Sequence, residues 1–122
     1  MSPPIVLLMA AAGGLGAVAR FVVDAVIRSR LRTELPLGTI LVNLAGSLLL
    51  GLITGLVVTG GDDRLALVAG TGFCGGFTTF STASVEIVRL SRARKARHAL
   101  VALGLNALGC MALAWAGLLL TR

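Results

Sequence analysis

The 122-residue sequence contains few of the residues on which soluble proteins and metal sites depend. It has no tyrosine, one histidine and two cysteines, and 13% of its residues are charged, against about 25% in soluble domains. Cys74 and Cys110 lie inside apolar runs and form no CxxC pair, so with one histidine they provide no metal site. With 57% hydrophobic residues and a mean hydropathy of +0.97, the chain cannot cover itself with polar surface in water. It is predicted to be an integral membrane protein.

The residues of common enzyme sites are missing as well. His98 lies in a polar connection, so no serine in an apolar run has a plausible histidine base. No apolar run contains a pair of acidic residues, and no phosphate-binding glycine loop is present. The sequence therefore predicts that the protein is not an enzyme.

Four apolar segments are long enough to cross a bilayer as α-helices. At about 1.5 Å per residue, each reaches beyond the roughly 30 Å of the hydrocarbon core. Transmembrane strands are excluded, because no alternation of period two persists across these segments. No positive charge precedes the first segment, which favours a permanent helix over a cleaved signal peptide. The prediction is an all-α membrane protein with one domain, residues 1–122, and spans at about 5–27, 37–58, 65–90 and 99–120.

The net charge of +6 is placed at the ends of these spans. Basic clusters that flank apolar segments are typical of cytoplasmic loops rather than of nucleic-acid surfaces. Eight of the eleven basic residues belong to the first and third connections, and Arg64 and Arg122 lie on the other side. The positive-inside rule therefore places loops 28–36 and 91–98 in the cytoplasm and both termini outside. The eight residues are Arg28, Arg30, Arg32, Arg89, Arg92, Arg94, Lys95 and Arg97.

Polar side chains inside the first two spans have two interpretations each. Arg20 and Asp24 share a helix face, where they form an interfacial ion pair or where Arg20 attracts anions to a pore mouth. Asn43 offers two N–H donors and one acceptor, for an interhelical hydrogen bond or for a passing anion. Glycines at GxxxG spacing are interpreted as close helix packing: Gly51 with Gly55, and Gly72 with Gly76.

Segment 72–84 combines glycine pairs with threonines and serines in the middle of the third span. This composition favours an interrupted helix over a continuous helix whose hydroxyls bond to their own turn. Interrupted helices present carbonyls to cations and helix N-termini to anions. Phe80 lies among these hydroxyls, either as a core residue or with its positive ring edge toward an anion.

Three stretches of the chain resemble the CrcB/Fluc fluoride channel family. They read GGLGAVAR at 13–20, GTILVNLAGS at 38–47 and GFCGGFTTFST at 72–82, and the third is highly specific. The resemblance implies an antiparallel dual-topology dimer with two fluoride pores along the subunit interface.

The resemblance also implies roles for individual residues. A structural sodium ion at the dimer centre would be held by the backbone carbonyls of Gly75 and Thr78 from both subunits. The fluoride pore would be lined by the Asn43 amide, the Phe80 ring and the hydroxyl residues Thr79, Ser81 and Thr82. Arg20 matches the basic residue near the vestibule.

Departures from the family pattern suggest a heterodimer. The family continues with a second phenylalanine where this chain has Ala83, and Asn106 stands near an expected serine. The tyrosine that often precedes that serine is missing. A strong basic asymmetry also disfavours insertion of one sequence in both orientations. We therefore expect an oppositely oriented homologous partner that supplies the missing phenylalanine.

Two other functions share the four-span architecture. A small proton-coupled multidrug exporter needs a membrane-buried acid in its first span, where this chain has only Asp24, near the end. A non-conducting assembly subunit predicts no ion flux with any partner, which the glycine–threonine segment argues against.

Overall fold

The computed structural model describes residues 2–122, and every regular element in this range is a helix. Helix α1 spans Pro3–Arg30 and α2 spans Leu37–Val58. The third apolar segment is divided into α3, residues 63–77, and α4, Phe80–Arg92. Helix α5 spans Ala96–Thr121. The predicted all-α class is confirmed, and α1, α2 and α5 are each long and apolar enough to cross a membrane.

Two of the five helices contain wide turns. Helix α3 begins as an α-turn at Asp63–Leu65, continues as a π-helix over Ala66–Cys74 and ends as an α-turn at Gly75–Phe77. Helix α5 contains a shorter π-helical stretch at Leu105–Gly109. Because π-helical turns are rare and are often found at functional sites, both stretches are candidate functional segments.

Close glycine contacts hold the helices in two pairs. Helix α1 packs on α3, where a Cβ atom on Gly76 would lie 2.8 Å from the Gly13 carbonyl carbon. Helix α2 packs on α5, where a Cβ atom on Gly51 would lie 2.8 Å from the Ala114 carbonyl carbon. The packing interpretation of both GxxxG pairs is confirmed, since backbones approach this closely only where side chains are absent.

The outer surface of the helices is apolar. Phe21 on α1 is 74% exposed and Leu108 on α5 is 70% exposed, and many other large apolar side chains are at least partly exposed. Exposing so much apolar surface to water is unfavourable, whereas the hydrocarbon of a bilayer solvates it. The arrangement fits a multi-pass membrane protein.

Two helices end in the same backbone motif with different residues. At the end of α2, Gly60 has φ +108°, and the N–H groups of Gly60 and Gly61 donate to the carbonyls of Val57 and Leu56. At the end of α4, Arg94 has φ +60°, and the N–H groups of Arg94 and Lys95 donate to the carbonyls of Ser91 and Leu90. Both are Schellman motifs, and glycine is the residue this position favours.

Candidate functional site

The third apolar segment is interrupted at Thr78 and Thr79, as the sequence predicts. Both residues are extended, with φ/ψ of −88°/159° and −146°/120°. The Thr78 N–H and hydroxyl both donate to the Cys74 carbonyl, at 3.0 and 2.9 Å, and so close the end of α3. The Thr79 hydroxyl accepts from the Thr82 N–H at 3.2 Å and caps the start of α4. Threonine side chains therefore terminate both half-helices.

Asn43 on α2 holds the interrupted backbone. Its Oδ1 atom accepts from the Thr79 N–H at 2.8 Å, and its Nδ2 atom donates to the Thr79 carbonyl at 3.0 Å. The same Nδ2 atom donates to Oδ1 of Asn106 at 2.8 Å. Both Asn43 N–H donors are thus engaged within the protein. The structure shows the interhelical hydrogen bonds that were one of the two interpretations of Asn43.

Arg20 contacts the break rather than Asp24. Its Nε atom donates to the Gly76 carbonyl at 3.2 Å, while Asp24 pairs with Arg28 at 2.8 Å. The ion pair, one of the two interpretations of Arg20 and Asp24, is therefore wrong. Arg28 follows Asp24 by four residues, as Asp24 follows Arg20, so both arginines have the same spacing from Asp24. Arg28 is the more exposed side chain of its pair. Arg20 instead donates to the Gly76 carbonyl, which the helix break leaves without a backbone N–H donor.

The hydrogen bonds at the break leave two of its carbonyls open. The Gly76 carbonyl accepts from Arg20 and the Thr79 carbonyl accepts from Asn43. Within residues 2–122, no N–H or hydroxyl donates to the carbonyls of Gly75 and Thr78. The Thr79 N–H, which would continue the helix onto Gly75, is taken by Asn43.

These two carbonyls fit a hard monovalent cation. Neutral carbonyl oxygens at the C-terminal end of a half-helix carry the negative pole of its dipole, and such oxygens coordinate sodium in interrupted membrane helices. A Cβ atom on Gly75 would meet no heavy atom within 4 Å, so the chain leaves room beside this residue. The donor set and the space are therefore compatible with a bound monovalent cation.

A cavity of about 730 Å³ opens at the break. Asn43, Thr79 and Phe80 line it together with Asn106. Phe80 is 88% exposed, which excludes its interpretation as a core residue of this subunit. Ala83, the position of the missing phenylalanine, lines the same cavity but is 5% exposed.

Ser81 and Thr82 line a second, smaller cavity of about 270 Å³ with charged walls. Arg28 donates to Glu86 Oε2 at 3.0 Å across this cavity, and the Thr39 hydroxyl donates to Glu86 Oε1. This network was not predicted from the sequence. Thr39 precedes Asn43 by four residues, so a polar stripe on α2 was the available signal.

Ion pairs outside the spans stabilise charged carboxylates. The Glu34 carboxylate pairs with Lys95 at 2.9 Å and lies 3.3 Å from His98. The hydrogen bond from Lys95 lowers the pKa of Glu34, and its charge lowers it further. The hydrogen bond from the Arg64 side chain similarly lowers the pKa of Asp62. Glu34 thus joins the first basic connection to the third.

Comparison with known proteins places most of the chain in one family. A family model described as "CrcB-like protein, Camphor Resistance (CrcB)" matches residues 7–118. A protein named fluoride-specific ion channel FluC 1 from Leifsonia xyli is 53% identical over 102 residues, 83% of this chain and 74% of that protein. FluC 2 from Cutibacterium acnes is 52% identical over 110 residues, 88% of this chain and 84% of that protein. FluC 2 from Rhodococcus jostii is 42% identical over 116 residues, 95% of this chain and 97% of that protein.

Proposed function

The chain belongs to the CrcB-like family, and we propose that it is a subunit of a fluoride-selective channel through which fluoride leaves the cytoplasm by passive permeation. It is a multi-pass membrane protein and not an enzyme. The observation that carries the proposal is the helix break at Thr78 and Thr79, in a chain half identical to relatives named fluoride-specific channels. An interrupted helix supplies free backbone groups to ions at a depth where lipid supplies none.

The proposed topology has four spans. In chain order, α1 is the first span and α2 the second, α3 and α4 together form the third, and α5 is the fourth. The basic connections 28–36 and 91–98 are placed in the cytoplasm and both termini outside. The Glu34–Lys95 ion pair supports this arrangement, because it requires the first and third connections to lie on one side.

The carbonyls of Gly75 and Thr78 are the proposed ligands of a structural sodium ion. Within the part of the chain that the structure describes, neither carbonyl accepts a hydrogen bond, which supports this role. The neighbouring Gly76 and Thr79 carbonyls are instead bound by side chains. When bound, sodium would supply a fixed positive charge that offsets the carbonyl dipoles of two facing subunits. The chain's own contribution is to hold both oxygens clear of its own N–H groups.

The fluoride path is proposed to run along the two cavities. Phe80 would offer its positive ring edge, and Thr79, Ser81 and Thr82 would offer hydroxyl donors that bind an anion weakly enough to release it. To bind an N–H of the Asn43 amide, a fluoride ion would have to displace the Thr79 carbonyl or Oδ1 of Asn106. Arg20, held beside the break, would attract anions toward it.

The exposure of Phe80 supports an assembly of two subunits. A side chain that is 88% open beside a 730 Å³ cavity lacks the second wall that a pore requires. We propose that the wall is an oppositely oriented homologous subunit, and that a heterodimer is favoured because Ala83 removes one of the two phenylalanines. Asp24, the acid that a proton-coupled exporter would need in the first span, is ion-paired with Arg28 and gives no support to that function.

Fluoride efflux from liposomes, followed with a fluoride electrode, tests the channel. We expect Phe80→Leu to reduce efflux at least tenfold, and Phe21→Leu, a matched exposed phenylalanine on α1, to leave it unchanged. Efflux should require co-reconstitution with a homologous partner. Full flux through both pores from this chain alone would overturn the heterodimer, and no flux with any partner would leave the assembly-subunit function instead.

A further inference from the structure

Asn106 lies in the π-helical stretch of α5, 63 residues from Asn43 in sequence, yet the two amides are in direct contact. Nδ2 of Asn106 donates to the Ala102 carbonyl at 2.9 Å, which leaves Oδ1 to accept from Asn43. Backbone groups thus fix the orientation of both amides: Ala102 for Asn106, and the Thr79 N–H and carbonyl for Asn43. Neither amide can rotate by 180° without placing like groups against each other.

The Asn43 amide in turn fixes a peptide plane. Thr79 is extended, so its N–H and carbonyl lie on one side of the chain, and Asn43 contacts both. The Thr79 N–H belongs to the same peptide group as the Thr78 carbonyl. No peptide bond in residues 2–122 is cis, and in a trans peptide the N–H and C=O point in opposite directions. Because Asn43 holds the Thr79 N–H, the Thr78 carbonyl must point away from Asn43.

We propose that Asn106 is a positioning residue for the Thr78 carbonyl, acting through the Asn43 amide and the Thr78–Thr79 peptide plane. The proposal rests on the proposed sodium site, to which Thr78 contributes its oxygen. Without Oδ1 of Asn106, one Asn43 N–H has no partner, and only the two hydrogen bonds to Thr79 still hold the Asn43 amide. The Thr78–Thr79 peptide plane is then restrained less firmly, and the direction of the Thr78 oxygen is less narrowly fixed.

The test measures the sodium dependence of thermal stability. The protein is purified in the assembly in which it conducts, and unfolding is followed through the fluorescence of Trp115 over a series of NaCl concentrations, with choline chloride holding ionic strength constant. The unmodified protein should be stabilised by sodium with a defined midpoint. We expect Asn106→Leu to raise that midpoint about tenfold, the equivalent of one buried hydrogen bond. Cys110→Ala, which lines the same cavity, should leave the midpoint unchanged.

A double-mutant cycle separates positioning from a general loss of stability. Asn43→Leu should raise the sodium midpoint at least as much as Asn106→Leu, and the double variant should raise it no further than Asn43→Leu, because Asn106 acts only through Asn43. If Asn106→Leu does not assemble, Asn106→Ala removes the same acceptor with less bulk and should give the same shift. A lower melting temperature with an unchanged sodium midpoint, or additive shifts, would overturn the proposal.

The two experiments test the sodium site and the channel function independently. If sodium does not stabilise the unmodified protein, the sodium site and the role of Asn106 are both overturned, whereas fluoride efflux still decides the channel. If sodium stabilises the protein and Asn106→Leu does not move the midpoint, only the role of Asn106 is overturned.

Discussion

The Thr79 N–H donates to Oδ1 of Asn43 at 2.8 Å, so an interrupted backbone finds on α2 the acceptor that its own helix no longer provides. Asn43 is 7% exposed, and water does not readily replace this contact. The bond therefore favours the extended backbone at Thr79 over a continuous third helix.

Loss of the Asn43 amide should destabilise the fold and impair conduction together. Asn43→Ala leaves the Thr79 N–H and Oδ1 of Asn106 without partners, and we expect a loss of about 2 kcal/mol in unfolding free energy. Thermal melting in detergent and fluoride efflux measure the two effects. Thr54→Val is the control, since exposed Thr54 on the same helix bonds only to its own Leu50 carbonyl. Equal losses in both variants would contradict a specific role of Asn43.

Two substitutions of Arg20 should separate the effect of its charge from the effect of its hydrogen bond. Both Arg20→Lys and Arg20→Gln remove the Nε–Gly76 bond, so each should lower stability by about 1 kcal/mol. Only the glutamine variant removes the charge, and we expect it alone to reduce fluoride flux at low fluoride, by about tenfold. Initial efflux rates at low and high salt measure this. If the lysine variant loses flux to the same extent, the contact with Gly76 is decisive and electrostatic attraction is not.

Local composition predicted the apolar helices and the break, because both depend on neighbouring residues. Uninterrupted apolar runs give helices, and glycines with threonines at 75–79 end one helix and cap the next. The packing of Gly51 and Gly76 was predictable for the same reason. These features need no knowledge of which segments meet.

Partners distant in sequence were not predictable. Arg20 and Gly76 are 56 residues apart, and the spacing of Arg20 and Asp24 suggested a nearer but incorrect pair. Asp24 lies four residues from both Arg20 and Arg28, so spacing alone cannot choose between them. Asn106, which contacts Asn43, lies in a π-helical stretch of α5, and no hydrophobic period in the sequence reveals that stretch.

The two Schellman motifs predict a stabilising substitution. Arg94 occupies at the end of α4 the left-handed position that Gly60 occupies at the end of α2. Arg94→Gly should raise the unfolding free energy by about 1 kcal/mol, since a side chain is strained at positive φ. Gly60→Ala is the converse control and should lower stability by a similar amount. Thermal melting of both variants checks the pair, and a loss of stability in Arg94→Gly would contradict the strain argument.

Helix packing predicts opposite effects for two Gly→Ala substitutions. A Cβ atom on Gly51 would lie 2.8 Å from the Ala114 carbonyl carbon, so Gly51→Ala must separate α2 from α5, and we expect a loss of about 2 kcal/mol. A Cβ atom on Gly104 would meet nothing within 4 Å, so Gly104→Ala should stabilise α5 by about 0.5 kcal/mol through helix propensity. Resistance to unfolding in sodium dodecyl sulfate ranks the two variants. Equal effects would show that the contact with Ala114 is not limiting.

Glu34 predicts a dependence of stability on acid pH. The hydrogen bond and charge of Lys95 lower the pKa of Glu34 below its ordinary value of 4.5, so the folded protein holds the ionised form more tightly than the unfolded chain does. The contribution of this pair is therefore complete above about pH 4.5 and is lost as the pH falls through the lowered pKa.

Melting temperatures at pH 7 and pH 3, in the unmodified protein and in Glu34→Gln, measure this contribution. The variant should melt at a lower temperature at pH 7, and the difference should disappear at pH 3. Asp62→Asn, which breaks a pair confined to one turn with Arg64, controls for the general effect of removing a carboxylate. A difference for Glu34→Gln that persists at pH 3 would mean that the link between the first and third connections does not depend on the charge of Glu34.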